Sequence, residues 1–137
     1  ISDLAVQCVI NTARDVQSLV MDSNDRVSGA TLDALRRVHG FTLRDISIKS
    51  CPNLDARSFR RMVLDCAGLT SLSMTKMQDV VSDTLVVGCC PYLTNLTHLD
   101  LSYNVRLTDD SILAASDHCV ELRSIRLVNV HQMTDQG

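Results

Sequence analysis

The chain has no tryptophan, two tyrosines, two phenylalanines and only two prolines among its 137 residues. It also lacks any run approaching the roughly 18 uncharged apolar residues that span a bilayer, and no basic stretch followed by an apolar one opens it. Membrane insertion is therefore not expected. The 13 basic residues are outnumbered by 16 acidic ones, for a net charge of −3 spread along the chain. That distribution offers no face-wide positive field to gather phosphates, so nucleic acid is not an expected partner. Glycine-rich phosphate loops are absent, and no C-x-x-C or H-x-x-x-H elements are paired as a closed metal site requires. No metal, cofactor or small-molecule substrate is expected.

What is present is enough apolar residue, 45% of the chain, to fill the core of one domain. Six cysteines, Cys8, Cys51, Cys66, Cys89, Cys90 and Cys119, could suggest a disulfide framework. Such frameworks belong to short secreted chains with starved cores, whereas these cysteines fall mostly at the edges of apolar clusters, where a free thiol acts as a small hydrophobe. Reduced, buried thiols are expected. They imply a reducing intracellular space, the cytoplasm or nucleus, with an organelle or cilium as alternatives.

The apolar residues recur with a period. Aligned on Val16, Leu43, Leu69, Leu96 and Leu122, the starts are 27, 26, 27 and 26 residues apart. Three residues on come Leu19, Ile46, Leu72, Leu99 and Ile125, and two further Met21, Ile48, Met74, Leu101 and Leu127. Eleven after each start stand Val27, Leu54, Val80, Leu107 and Met133. Independent draws at this composition would fill every one of these columns with apolar residues at a probability of roughly 10⁻⁷.

Each unit first alternates as a strand does. It then changes period, because a residue able to cap a helix follows the last apolar column: Ser28, Asp55, Thr108 and Thr134, with Ser2 in a partial unit at the start. Acids just behind the cap, Asp3, Asp109 and Asp135, suit the positive helix end. Helices should follow, burying Val6, Val9, Ile10 and Ala13 in the partial unit and Phe59, Met62, Val63 and Cys66 in a later one. Between strand and helix lies a column of Asn24, Cys51, Met77, Asn104 and Val130. An inward asparagine there can satisfy backbone groups cut off from water, and a methionine or valine cannot, so looser hydrogen bonding is expected at Met77 and Val130.

The pattern L-x-x-L-x-L-x-x-[N/C] with its T-D helix start resembles the leucine-rich repeat. "CVELRSIRLVNVHQMTDQG" and "CAGLTSLSM" are similar to the cysteine-containing class found in F-box/leucine-rich-repeat proteins. The resemblance implies an α/β right-handed solenoid over residues 1–137, with about five repeats whose strands start near 16, 43, 69, 96 and 122. Strands spaced about 4.8 Å apart beside helices about 10 Å wide must bend, putting the parallel sheet on a concave side and the helices on a convex one. The chain starts and stops within repeats, so it is expected to be a segment of a longer solenoid. Apolar ends of such a segment would be held by neighbours or by partners.

For function the resemblance implies a non-enzymatic protein-interaction scaffold, the substrate-recognition arm of an F-box-type ubiquitin ligase adaptor. The alternative is a structural or assembly subunit of a large organellar or ciliary complex. On the concave face the spacing places Asp45, Lys49, His98, Asp100 and Arg126, with Tyr103 at the rim, as candidates for contact with a protein partner. Ser102 is expected to stand outward beside them. Interface hot spots favour Trp, Tyr and Arg, and this face offers one arginine and one tyrosine. A second candidate surface is basic: Arg36, Arg37, Arg57, Arg60 and Arg61 on the convex helices, suited to an acidic partner. His98, Asp100 and Ser102 share a strand face without aiming at one another, so they are read as solvated polar residues and not as a triad. His39 and His131 are read as polar surface near turns.

Overall fold

A computed structural model describes residues 1–130. Helix α1 (Asp3–Thr12) leads into β1 (Ser18–Asp22), followed by α2 (Gly29–His39), β2 (Asp45–Lys49), α3 (Ala56–Asp65) and β3 (Ser71–Thr75). The chain goes on through α4 (Asp83–Cys89), a 3-10 turn (Cys90–Tyr92), β4 (His98–Asp100), α5 (Asp109–His118) and β5 (Ser124–Arg126). The strands form one parallel five-stranded sheet in sequence order, β1-β2-β3-β4-β5. Every link between neighbouring strands carries a helix, and consecutive helices pack on one another. The fold is α/β.

The expected columns are the core. Leu43, Ile46, Ile48, Leu69, Leu72, Leu96, Leu99, Leu101 and Leu107 are buried together with Leu32, Leu35, Phe59, Met62 and Val63 from the helices. Each strand starts two residues after the first apolar position of its unit, at Ser18, Asp45, Ser71, His98 and Ser124. The outermost units are less well covered: Val16, Leu19, Leu122, Leu127 and Val130 are half-buried and Ile125 is exposed. Val9, expected in the buried stripe of α1, is exposed, because among the described residues no helix packs on the far side of α1; Ile10 is buried and Val6 partly so against the core.

Side chains start the helices as expected. Ser2, Ser28, Asp55 and Thr108 each accept a backbone N–H from the first turn of the helix they precede, and Ser82 does the same for α4. The Met133 core position and the Thr134–Asp135 helix start lie outside the described residues.

Two first-turn acids do more than face the helix dipole. Asp83 accepts from the Thr108 amide at 3.0 Å, the Thr108 hydroxyl at 2.6 Å and the Ser111 hydroxyl at 2.5 Å. Asp3 takes the same three bonds from Ser28 and Thr31. Each carboxylate thus clasps the cap of the next helix. Burial pushes the Asp83 carboxyl up, but the Ser111 and Thr108 donors outweigh it and hold its pKa below the ordinary aspartate value. A lowered folded-state pKa contributes stability that is present above the unfolded value and lost as pH falls through the folded one. Asp83→Asn is therefore expected to cost about 1–2 kcal/mol at pH 7, toward the low end for charged hydrogen bonds because solvent screens the site. Denaturant midpoints of wild type and variant should converge as pH drops from about 5 to below 3. A gap that persists at acid pH would show that the Asp83 charge is not the stabilising feature.

Between these clasps, α2 meets the cap of α3 through a different joint. Gly29 occupies the position that Asp3 and Asp83 hold in their helices, and a Cβ there would lie 2.0 Å from Asp55 Oδ2 and 2.4 Å from Ser58 Oγ. The cap of α3 fills that space itself, with Asp55 accepting from the Ser58 amide at 2.7 Å.

At the turn from strand to helix, Asn104 is fully buried. Its Oδ1 accepts from the Met77 amide at 2.8 Å and its Nδ2 donates to the Met74 and Leu101 carbonyls at 2.6 and 2.9 Å. This corrects the expectation of loose bonding at Met77. The asparagine of the following unit satisfies the Met77 amide, and the Met77 sulfur in turn accepts from the Cys51 amide at 3.3 Å.

Candidate functional site

Because side chains alternate along each strand, the sheet face away from the helices carries the residues that the core columns leave over. Lys49, Asp100, Tyr103 and Arg126 come together there, lining with Lys76 and Val128 an open depression of about 310 Å³ beside the C-terminal strand ends. Lys76 Nζ lies 5.4 Å from the centroid of the Tyr103 ring, within cation–π range. Lys49 Nζ is 3.7 Å from Asp22 Oδ2 across β1 and β2. Three cationic groups, Lys49, Lys76 and Arg126, and a phenol ring thus line the depression with one carboxylate, Asp100, an arrangement able to take up polar and acidic groups of another chain.

Asp45 and His98 do not join this cluster. They lie at the opposite ends of their strands, where Asp45 Oδ2 accepts from the Ser18 hydroxyl at 3.4 Å and His98 Nδ1 lies 2.8 Å from the Thr97 hydroxyl. Ser102 lines the same depression, as alternation places it, but it is buried there, and its oxygen accepts from the Val128 amide at 3.0 Å. The Val128 carbonyl accepts from the Tyr103 amide at 2.8 Å, so both backbone groups of Val128 are tied to the segment after β4. Asp100 accepts from the Ser102 amide at 3.0 Å, so His98, Asp100 and Ser102 each serve a local structural bond.

On the helix side the arginines divide. Arg36 is committed: its Nε lies 3.0 Å from Asp33 Oδ1 and its Nη1 2.7 Å from Asp65 Oδ2, and these two acids raise its pKa. Arg61 reaches Asp33 Oδ2 only at 4.0 Å. Arg37, Arg57 and Arg60 are exposed and form no ion pair among the described residues. Arg57, Arg60 and Arg61 line one side of a groove of about 310 Å³ between α3 and α4, with Leu64 beside them and Thr84 and Leu85 opposite.

The six cysteines are free, and five are buried. Cys8 is the exception, lying on the exposed side of α1. Burial pushes the Cys66 and Cys89 thiols up to about 11. The hydrogen bond with Cys119, with burial behind it, holds Cys90 well above the usual thiol range. Such thiols are poor nucleophiles. His39 is not a surface residue: it is buried, with Nε2 2.8 Å from the Ile10 carbonyl, joining α2 to α1. His131 lies outside the described residues. Among the described residues no group of three or more His, Cys, Asp or Glu is placed to hold a metal ion, and no helix is long and apolar enough to cross a membrane.

Two features escaped the sequence reading. Ser23, Ser50, Lys76, Tyr103 and Asn129, one per unit, adopt left-handed backbone conformations with φ between 52° and 62°. Their residue types carry little signal, since only asparagine among them favours that region. The other is Phe41, 93% exposed just after α2, within a few residues of the exposed Val38 and Arg37. The only trace of it was the extra residue that lengthens this unit to 27. No protein-family model and no curated protein matches the chain.

Proposed function

We propose that the chain is a leucine-rich-repeat solenoid, with the sheet on its concave side and the helices on its convex side, that works by holding other proteins and has no reaction of its own. The observation that supports this reading is the register. Ser18 pairs with Asp45, Asp45 with Ser71, Ser71 with His98 and His98 with Ser124, so every unit is set on the last at the same place. Stacks built this way present extended, rigid faces to macromolecules. Within that reading the chain recognises the substrate of an F-box-type ubiquitin ligase, a role that rests on the cysteine-containing repeat pattern with Cys66 and Cys119 ahead of their strands.

The experiment is affinity purification of the tagged full-length protein from its own cells. Stoichiometric recovery of the ligase subunit that reads F-boxes is the expected result. Recovery of a large structural assembly without that subunit would overturn the ligase role and favour an assembly subunit of an organellar or ciliary complex. That second reading draws on the exposed apolar side chains of the outermost elements, Leu4, Val9 and Val20 on one side and Val120 and Ile125 on the other.

A further inference from the structure

The groove between α3 and α4 has two properties that rarely coincide on an ordinary helix surface: an apolar lining and unneutralised charge. On α3, Arg57, Arg60, Arg61 and Leu64 fall at steps of three and four, so they form one stripe opposite the buried residues Phe59, Met62 and Val63. The groove exists because its walls are low. The facing helix is only seven residues long, Gly88 has no side chain where Arg60 passes, and a Cβ there would stand 3.7 Å from the Arg60 guanidinium carbon. Leu64 is 40% exposed and Leu85 closes the opposite side.

In a chain of net charge −3, this is a place where guanidinium groups gather without acids to answer them. Arg57 and Arg60 have no ion-pair partner among the described residues, and Arg61 shares Asp33 with Arg36 at the 4.0 Å limit.

We infer that this groove binds an acidic segment of a partner protein, one that lays a large apolar side chain against Leu64 and Leu85 and sets carboxylates on Arg57, Arg60 and Arg61. The inference rests on the protein-binding reading above and adds the chemistry of the partner. Charge complementarity selects the acid, because guanidinium forks bind carboxylates in pairs. The apolar lining selects a peptide over a free anion. The absence of an aromatic platform in the groove and the overall negative charge speak against a nucleic-acid strand.

The test selects a displayed library of random peptides, about twelve residues long, on the wild-type chain, and measures the enriched peptides by fluorescence anisotropy. Expected are sequences with acids flanking a leucine, isoleucine or phenylalanine. Their affinity should fall at least about tenfold on the double charge reversal Arg57→Glu/Arg60→Glu, and also on adding about 0.3 M salt. Both arginines are exposed and unpaired, so the variant should melt with the wild type, and Arg14→Glu, at an exposed arginine in the loop after α1, should leave binding unchanged. Enriched peptides without acids, equal binding to the double variant, or tighter binding of a 20-nucleotide single strand or of phosphatidylserine vesicles would each overturn the assignment. Purification of the full-length double variant separates the two levels. Partners retained there while peptide binding is indifferent to the reversal would sink the groove and leave the scaffold standing.

Discussion

Asn104→Ala should lower the melting temperature by roughly 10–20 °C, a loss of about 3–5 kcal/mol. The side chain is buried where water cannot replace its bonds: Oδ1 accepts from the Met77 amide, and Nδ2 donates to the Met74 and Leu101 carbonyls and, at 3.4 Å, to that of Ser102. Alanine removes the partner and leaves the backbone groups enclosed, so the cost is that of stranded donors and acceptors and not of one exchanged hydrogen bond. Asn24 provides the control in the same column. It is only half-buried and its Oδ1 accepts from the nearby Arg26 amide at 3.0 Å, so Asn24→Ala should cost under about 1 kcal/mol. Thermal unfolding of the two variants side by side is the measurement. Equal losses would mean that Asn104 does not hold the third and fourth strands together.

Phe59→Ala should cost a comparable 3–5 kcal/mol or so for a different reason. Phe59 heads the fully buried side chains and faces the core from α3, the middle helix, with α2 on one flank and α4 on the other. Neither neighbour can move in without breaking its own seat, so truncation leaves a cavity that the surroundings fill only in part. Phe59→Leu keeps most of the volume and should lose less than half as much. The denaturant midpoint should fall while its slope stays the same, because the surface exposed on unfolding hardly changes. A loss under about 1 kcal/mol for the alanine variant would show that α3 repacks freely, against the tight seat described here.

The apolar columns were legible because burial is a property of residue type and period. Leu43, Ile46 and Ile48 announce a strand and its inward face, and Ser28 or Thr108 announces a helix start, without knowledge of any other unit. What could not be read depended on the neighbouring unit. Met77 looked like a gap in the polar column, and the remedy lies 27 residues away at Asn104. Alternation puts Ser102 on the outward face, but its burial there depends on the Val128 amide of the next unit, which donates to its hydroxyl. His39 looked like a turn residue and proved to bond the Ile10 carbonyl of the preceding helix.

The candidate surfaces divide in the same way. Alternation was enough to put Lys49, Asp100 and Arg126 on one face, whereas their gathering near Tyr103, apart from Asp45 and His98, follows from where each lies along its strand. Counting arginines found the helix patch. It could not say that Arg36 is already spent on Asp33 and Asp65 while Arg57 and Arg60 are left unanswered.

Each strand hydrogen-bonds only to the strands just before and after it in sequence. Among the described residues the sheet is therefore open, since no strand returns to pair β1 with β5. Order passes from one unit to the next through joints such as the Asp83 carboxylate on Thr108 and Ser111, and a fault at one joint is felt most by the units on either side of it. On the solenoid reading proposed above, such a chain can gain or lose whole units while the chemistry of every remaining joint stays as it was.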